Sequence, residues 1–498
     1  MSKVLIRRID MDIKQIENMG RELSRFLAKF DDCFSRTESK QNLRTYIKGQ
    51  LSNLPRKSIE PIALAAKVTP RTLQNFLSAI PWDHKRIVDK LQWIVAKEHS
   101  HSEAIGIIDE SGNPKKGSHT AGVQRQWCGN TGKLDNCVVA VHTAYVAGDF
   151  QCILDSTIFL PEDWADDPVR RKEAGIPKDV IYRKKAQIAI EQIARSIANG
   201  IRVSAWTFDE FYGRDGEFLD GLDALGQNYV AQVPANFTGW LYEPQILHRP
   251  TPQQMRKPGR KMHFPRLSVK ALPACQVQNL LVYSRVFQKR NWQKFRIKNG
   301  EKGPYVWEVK HARFYRKHGE DGLPGPEHYL IVARNVLNPD EIKYFVSNMV
   351  PTAGGVSLER LLWTAFCRVP IERCFQISKQ ELGMDHFEVR RWLGIHRHFY
   401  ITQLSFLFCS RIHQKLREKN DKQFLSDSRA GSSGRLCLHR SAGSAVFRSK
   451  NILSGYFQPD FLLSKSQSAG SQISSEKDAL QAAKTGYKNQ SVEILCTA

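Results

Sequence analysis

Apolar residues recur at helical spacing from Ile16 to Phe30, which predicts an amphipathic helix near the start of the chain. Ser58 to Ile80, SIEPIALAAKVTPRTLQNFLSAI, predicts two helices separated by a short turn at Val68 and Thr69, with Pro70 at the first position of the second. The period changes after residue 103. Ala104 to Asp109, AIGIID, is a short apolar run that reads as a buried strand ending on a carboxylate. Asn136 to Tyr145 and Phe150 to Phe159 read as a β-hairpin about Ala147-Gly148-Asp149. Val180 to Ala198 has Ile190, Ile193 and Ile197 on one face and Ile181 and Ile188 on another, so it predicts a helix covered on two sides. Ile201 to Asp209, IRVSAWTFD, is again an apolar run closed by an acid.

Asn236 to Thr352 is rich in strand-like runs: Leu280 to Phe287, Pro304 to Arg316 and His328 to Arg334, with a turn expected at Gly322 to Pro326. Pro370 then opens a helix that places Glu372 in the first turn, where the macrodipole favours a carboxylate, and Lys379 on the same face. Gly383 stops it after Leu382, and a second amphipathic helix is expected from about Asp385. Beyond about Asp427 the chain turns Ser/Gly/Arg-rich without sustained periodicity, a composition that cannot bury enough apolar surface to order itself.

These elements predict five segments: a helical region at 1–103, the first part of an α/β core at 104–234, a β-rich insertion at 235–355, the last part of the core at 356–425, and a low-complexity tail at 426–498. A chain of 498 residues is too long for one core. No run reaches the length of a membrane span and the first residues lack a signal-peptide core, so a cytoplasmic protein is expected. The cysteines occur singly, without zinc-finger spacing, which argues against a zinc site or a disulfide framework.

Charge narrows the function. The chain carries +24, and its distribution is uneven: +7 over 1–103, +12 over 235–355, +7 over 410–498 and −2 over the remainder. Basic flanks about a region without excess positive charge suit an enzyme that gathers phosphates around a cation-binding pocket. Two strand-end aspartates, Asp109 and Asp209, with the helix glutamate Glu372 make an oxygen-only donor set of the kind preferred by Mg²⁺ or Mn²⁺. Lys115 and Lys116 lie in the loop after Asp109, equally readable as phosphate ligands or as solvated turn residues. Arg71, Gln74 and Asn75 stand near the start of the second helix of the helical pair, where groove-reading residues would sit. Trp292, Phe295, Tyr305 and Trp307 interleave with cations in the insertion, a pattern that suits a nucleic-acid clamp.

Asp109 with ESGNPKKG and GVQRQWCGNTGKLDNC, then FDEFYG, then IERCFQISKQELGMDHFEVRRW, resembles the three catalytic blocks of bacterial insertion-sequence transposases of the DDE class, cut-and-paste type. The resemblance spans roughly residues 44–411. It implies an RNase H-like mixed sheet interrupted by the β-rich insertion and preceded by an all-α DNA-binding region. It further implies Asp109, Asp209 and Glu372 as catalytic and metal-binding residues, Mg²⁺ with Mn²⁺ as substitute, and double-stranded DNA as partner, both element ends and target, bound as a dimer. The last block of the family carries a tyrosine, arginine, glutamate and lysine at fixed spacing. Arg368, Glu372 and Lys379 match, whereas the tyrosine position falls on Ala365, which shifts base stacking to Trp363 or Phe366. Glu110 stands where a second aspartate is usual. Two other functions fit the same residues: a metal-dependent nuclease without strand joining, and an inactive transposase-derived repressor. The family usually ends in a basic helical segment, so the tail's change of character raises the hypothesis of a lost reading frame.

Overall fold

The computed structural model describes residues 13–250, 263–300, 303–319, 321–352 and 355–430. The tail expected at 426–498 lies outside them beyond residue 430.

Five helices lead: α1 (Ile13–Ala28), α2 (Thr37–Leu51), α3 (Ile59–Ala65), α4 (Pro70–Ser78) and α5 (His84–Glu98). The α3–α4 pair turns at Lys67, whose φ is 57°, and Pro70 opens α4 with a ring already set to the helical φ. Asp83 caps α5 by accepting from the Arg86 amide at 2.9 Å. These helices share one apolar core with the sheet and with a long C-terminal helix. They are also bonded to that helix: the Tyr46 hydroxyl meets His398 Nδ1 at 2.9 Å, and Gln50 donates to Thr402 at 2.7 Å. The buried Arg397 guanidinium donates to the carbonyls of Phe76 and Leu77 at the end of α4 and of Ile80 and Trp82 just beyond it.

The first strands are β1 (Ile105–Pro114), β2 (Gln124–Cys128), β3 (Lys133–Ala147) and β4 (Phe150–Ile158). Two short helices, α6 (Glu162–Ala165) and α7 (Pro168–Ala174), lead to α8 (Lys185–Ala198), then β5 (Ala205–Phe208), α9 (Glu210–Gly213), α10 (Gly216–Ala224) and β6 (Tyr229–Val233). β1, β5 and β6 run parallel to one another, and β3 runs antiparallel to β1, β2 and β4. The protein is therefore a mixed α/β fold with one large mixed sheet. β1 does not stop at Asp109 as expected. It continues to Pro114 because Glu110 to Pro114 pair with Val141 to Cys137 of the long β3. β2, unforeseen from the sequence, pairs with the start of β3 as a projecting hairpin.

The region expected as an insertion continues that sheet. After β7 (Thr238–Trp240), β8 (Ile246–Leu247), β9 (Arg266–Leu267) and β10 (Cys275–Gln276) come α11 (Val277–Tyr283), α12 (Arg285–Gln288), β11 (Gln293–Gly300), β12 (Gly303–His318), β13 (Leu323–Asn335) and β14 (Ile342–Ser347). The order β12-β13-β14-β6-β5-β1-β3-β2 joins both parts, with apolar clusters on either face. Leu280 to Phe287 is helical rather than extended. Val277 and Phe287 are buried with Leu280 and Leu281 beside them, a helical spacing, and Ser284 caps α12 by accepting from Val286. The turn expected at Gly322 to Pro326 ends earlier, since β13 already begins at Leu323, and Gly322 just before it has a φ of 63°.

The last elements are α13 (Leu358–Phe366), α14 (Val369–Gln380) and α15 (Trp392–Ala430). Gly383, with φ of 72°, takes the left-handed conformation that ends the turn after α14. The next helix begins at Trp392, not near Asp385. Residues 385–390 form no helix and are held from outside: Lys115 donates to the carbonyls of Asp385 and Phe387, and the Arg390 carbonyl accepts from the Ala121 amide. No helix among the described residues is long and apolar enough to cross a membrane.

Candidate active site

Side chains alternate along a strand, so Asp109 and Glu110 leave β1 on opposite faces. Glu110 points toward α8, where Lys185 Nζ pairs with it at 2.7 Å. Asp109 shares its face with its cross-strand partner His142, over which the Phe375 ring of α14 lies at 4.8 Å. β1 and β5 run parallel with Ile107 opposite Thr207, so the same register brings Asp109 level with Asp209 just past the end of β5. Gly106 allows this close pairing, because a Cβ there would collide with the Trp206 ring.

Asp209 caps α9, accepting the Phe211 amide at 3.0 Å. Its neighbour Glu210 is turned elsewhere and accepts from Gln232 at 3.2 Å. Glu372, in the first turn of α14, is largely exposed. Arg368 joins the two, 3.6 Å from Asp209 and 3.4 Å from Glu372. Asp109 feels the same group: burial pushes its carboxyl up to about 7, Arg368 opposes that rise and Asp209 adds to it. Three elements distant in sequence thus bring Asp109, Asp209, Glu372 and Arg368 into one electrostatic cluster.

α14 is seated by its far end. Lys379 donates to the Gly112 carbonyl of β1 at 3.2 Å, while Ile371 and Cys374 are buried beneath the helix. The Lys379 ammonium is therefore engaged by the chain itself. Lys115 is likewise engaged, its ammonium 3.5 Å above the Phe387 ring and bonded to the 385–387 backbone; burial lowers its pKa to about 8. Lys116 is exposed. Arg71 and Gln74 are exposed on α4 and Asn75 is half-buried; α4 docks on α15, not on the acid-bearing strands. Of the two residues expected to take over the missing tyrosine, Phe366 packs on Trp307 and Phe345, whereas Trp363 lies half-buried under the Arg360 guanidinium.

Two residues beside the acids had escaped the sequence reading. His142 bridges Ser111 and Ser156 beneath Asp109, and its complete burial lowers its pKa to about 3, so it stays neutral. Tyr212, from the FDEFYG block, is fully buried with a hydroxyl that has no partner among the described residues. Burial raises its pKa first, and the charges of Glu110, Asp109 and Asp209 add to the rise. The only sequence signal was an aromatic three residues beyond an acid.

The donor set suits a hard divalent cation, since every candidate ligand is a carboxylate and the desolvated Asp109 would be relieved by a positive charge. As placed, no group of three acidic, histidine or cysteine side chains among the described residues is close enough to cage an ion, and the Arg368 guanidinium supplies the positive charge between Asp209 and Glu372.

The chain is 32% identical over 190 residues to a probable transposase for insertion sequence element IS701 from Microchaete diplosiphon, a match covering 38% of this chain and 47% of that protein. It thus spans about half the length of that curated relative. The family described as DDE superfamily endonuclease matches residues 29–304, which include Asp109 and Asp209 and end before Glu372. With more than half of its length matched and its two aspartates inside the match, the chain belongs to the DDE superfamily of endonucleases.

Proposed function

We propose that this protein is an insertion-sequence transposase that binds the double-stranded ends of its element as a dimer, cleaves them by phosphodiester hydrolysis and joins the freed 3′-hydroxyls to target DNA. The observation that carries the reading is the level placement of Asp109 and Asp209 on parallel neighbouring strands, with Glu372 tied to Asp209 through Arg368. Endonucleases of this superfamily use divalent ions, generally Mg²⁺. Asp109, Asp209 and Glu372 would hold such ions, with Mn²⁺ as substitute. When bound, they supply Lewis-acid activation of the attacking oxygen and stabilisation of the leaving one.

The chain's own residues do the rest. Arg368, beside both Asp209 and Glu372, would hold a phosphate near the scissile bond and so position DNA without reading bases. Lys379 holds α14 on β1 and so fixes the helix that carries Glu372 and its partner Arg368. The exposed Arg71 and Gln74 on α4, with Asn75 beside them, offer a recognition surface, and the basic 235–355 region offers a clamp.

Incubating the purified protein with duplexes that carry the element's own ends, in Mg²⁺ or Mn²⁺, tests the reading. Nicked 3′-hydroxyl ends followed by joined products are expected, and a chelator should abolish both. Cleavage without joining would identify a nuclease; specific end binding with neither step would identify a transposase-derived repressor.

A further inference from the structure

The β2–β3 hairpin ends in a surface that the acid site does not use. Trp127 and Leu134 are direct cross-strand partners near its tip, and they are 56% and 59% exposed. Water contact on two adjacent large apolar side chains is unfavourable, so the pair is a candidate for burial against something. Exposed Arg125, two residues before Trp127, shares its face; exposed Lys133 lies at the tip on the opposite face, opposite Cys128, and exposed Lys116 lies on the loop that follows β1.

The register says where this surface lies. β3 pairs without a break from Lys133 to Cys137 with β2 and from Cys137 to Val146 with β1, so Leu134 and His142 share one face, which is the face of Asp109. Eight residues at a rise of about 3.3 Å put the tip roughly 26 Å from Asp109 along the sheet. Between the two, α14 presents Glu372, Gln376 and Gln380, exposed at successive turns, as a polar line.

We propose that this tip is a second DNA contact, in which Trp127 and Leu134 pack against the duplex flanking the scissile phosphate and Arg125 on the same face holds its backbone. The inference rests on the function proposed above. Charge selects the occupant: a second copy of a +24 chain would bring like charge to a basic tip, whereas a polyanion with apolar base and sugar surfaces matches both the cations and the Trp–Leu pair. At about 3.4 Å per base pair, roughly 26 Å corresponds to about seven or eight base pairs from the cleavage point.

Fluorescence anisotropy with end duplexes truncated stepwise on either side of the scissile phosphate tests this. Trp127→Ala should bind long duplexes on the order of tenfold more weakly than wild type, with Trp127→Phe close to wild type and melting temperatures unchanged. On duplexes cut to fewer than about six base pairs on one side, wild type and Trp127→Ala should bind alike. Equal binding at every length would overturn the hairpin contact alone. So would a loss independent of length, or a changed sedimentation of Trp127→Ala without DNA, which would assign the tip to a second copy. Failure of wild type to bind any duplex would instead overturn the transposase reading and this contact with it.

Discussion

Arg368 stands one helical turn before Glu372, 3.4 Å from its carboxylate, and the same guanidinium lies 3.6 Å from Asp209 across the site. It therefore bridges two of the candidate acids, and it also opposes the upward shift of Asp109. Arg368→Ala should reduce end cleavage by tenfold or more in order of magnitude while leaving initial end binding nearly intact, as expected for a group that positions a phosphate near the scissile bond. Lys379→Ala should do the same by loosening α14 from Gly112. Parallel gel-shift and cleavage assays check both, and an equal loss of binding and cleavage would reduce the two residues to supports of the fold.

The three acids should act as one unit. Asp109→Ala, Asp209→Ala and Glu372→Ala should each lower cleavage and joining by several orders of magnitude, and pairs of these substitutions should lose little more. End binding should survive, since the basic surfaces are elsewhere. Single-turnover cleavage with labelled ends measures this; robust strand transfer by Glu372→Ala, or activity in a chelator, would sink the assignment.

Asp209 and Glu210 are adjacent, yet only the former faces Arg368, while Glu210 is held by Gln232. Glu210→Gln should keep substantial cleavage and Asp209→Asn should abolish it. The opposite pattern in the same assay would move the metal ligand by one residue.

The half-buried Asp109 also makes the ion-free protein sensitive to pH. Its folded pKa is raised from 3.8 to about 7, so folding favours the protonated form. The stability tied to this group is present below the unfolded value and is lost as pH rises through about 7. In a chelator, Asp109→Asn should melt several degrees higher than wild type at pH 8, with the gain disappearing below about pH 4. A constant difference across that range would show that the carboxyl is well solvated.

Sequence alone determined the local chemistry. Apolar runs closed by Asp109 and Asp209, and Pro370 placing Glu372 in a first helical turn, were legible because strand burial and helix starts depend on near neighbours. The same holds for the α3–α4 turn before Pro70. Pairing was not legible. That β1 runs on to Pro114, that β2 exists, and that β12 to β14 extend the sheet from β6 all depend on partners far along the chain. Leu280 to Phe287 shows the limit plainly, since a short apolar run fits strand and helix equally until its neighbours choose the buried face. The delayed start of α15 goes with Lys115, whose bonds to the backbone at Asp385 and Phe387 tie that segment down outside any helix. Arg368 and Glu372 could be found by spacing, but their meeting with Asp209 and Asp109 is a property of the sheet register and of Lys379 docking on Gly112. Residue types are written locally, whereas the distances between them are set by long-range pairing that only the folded chain contains.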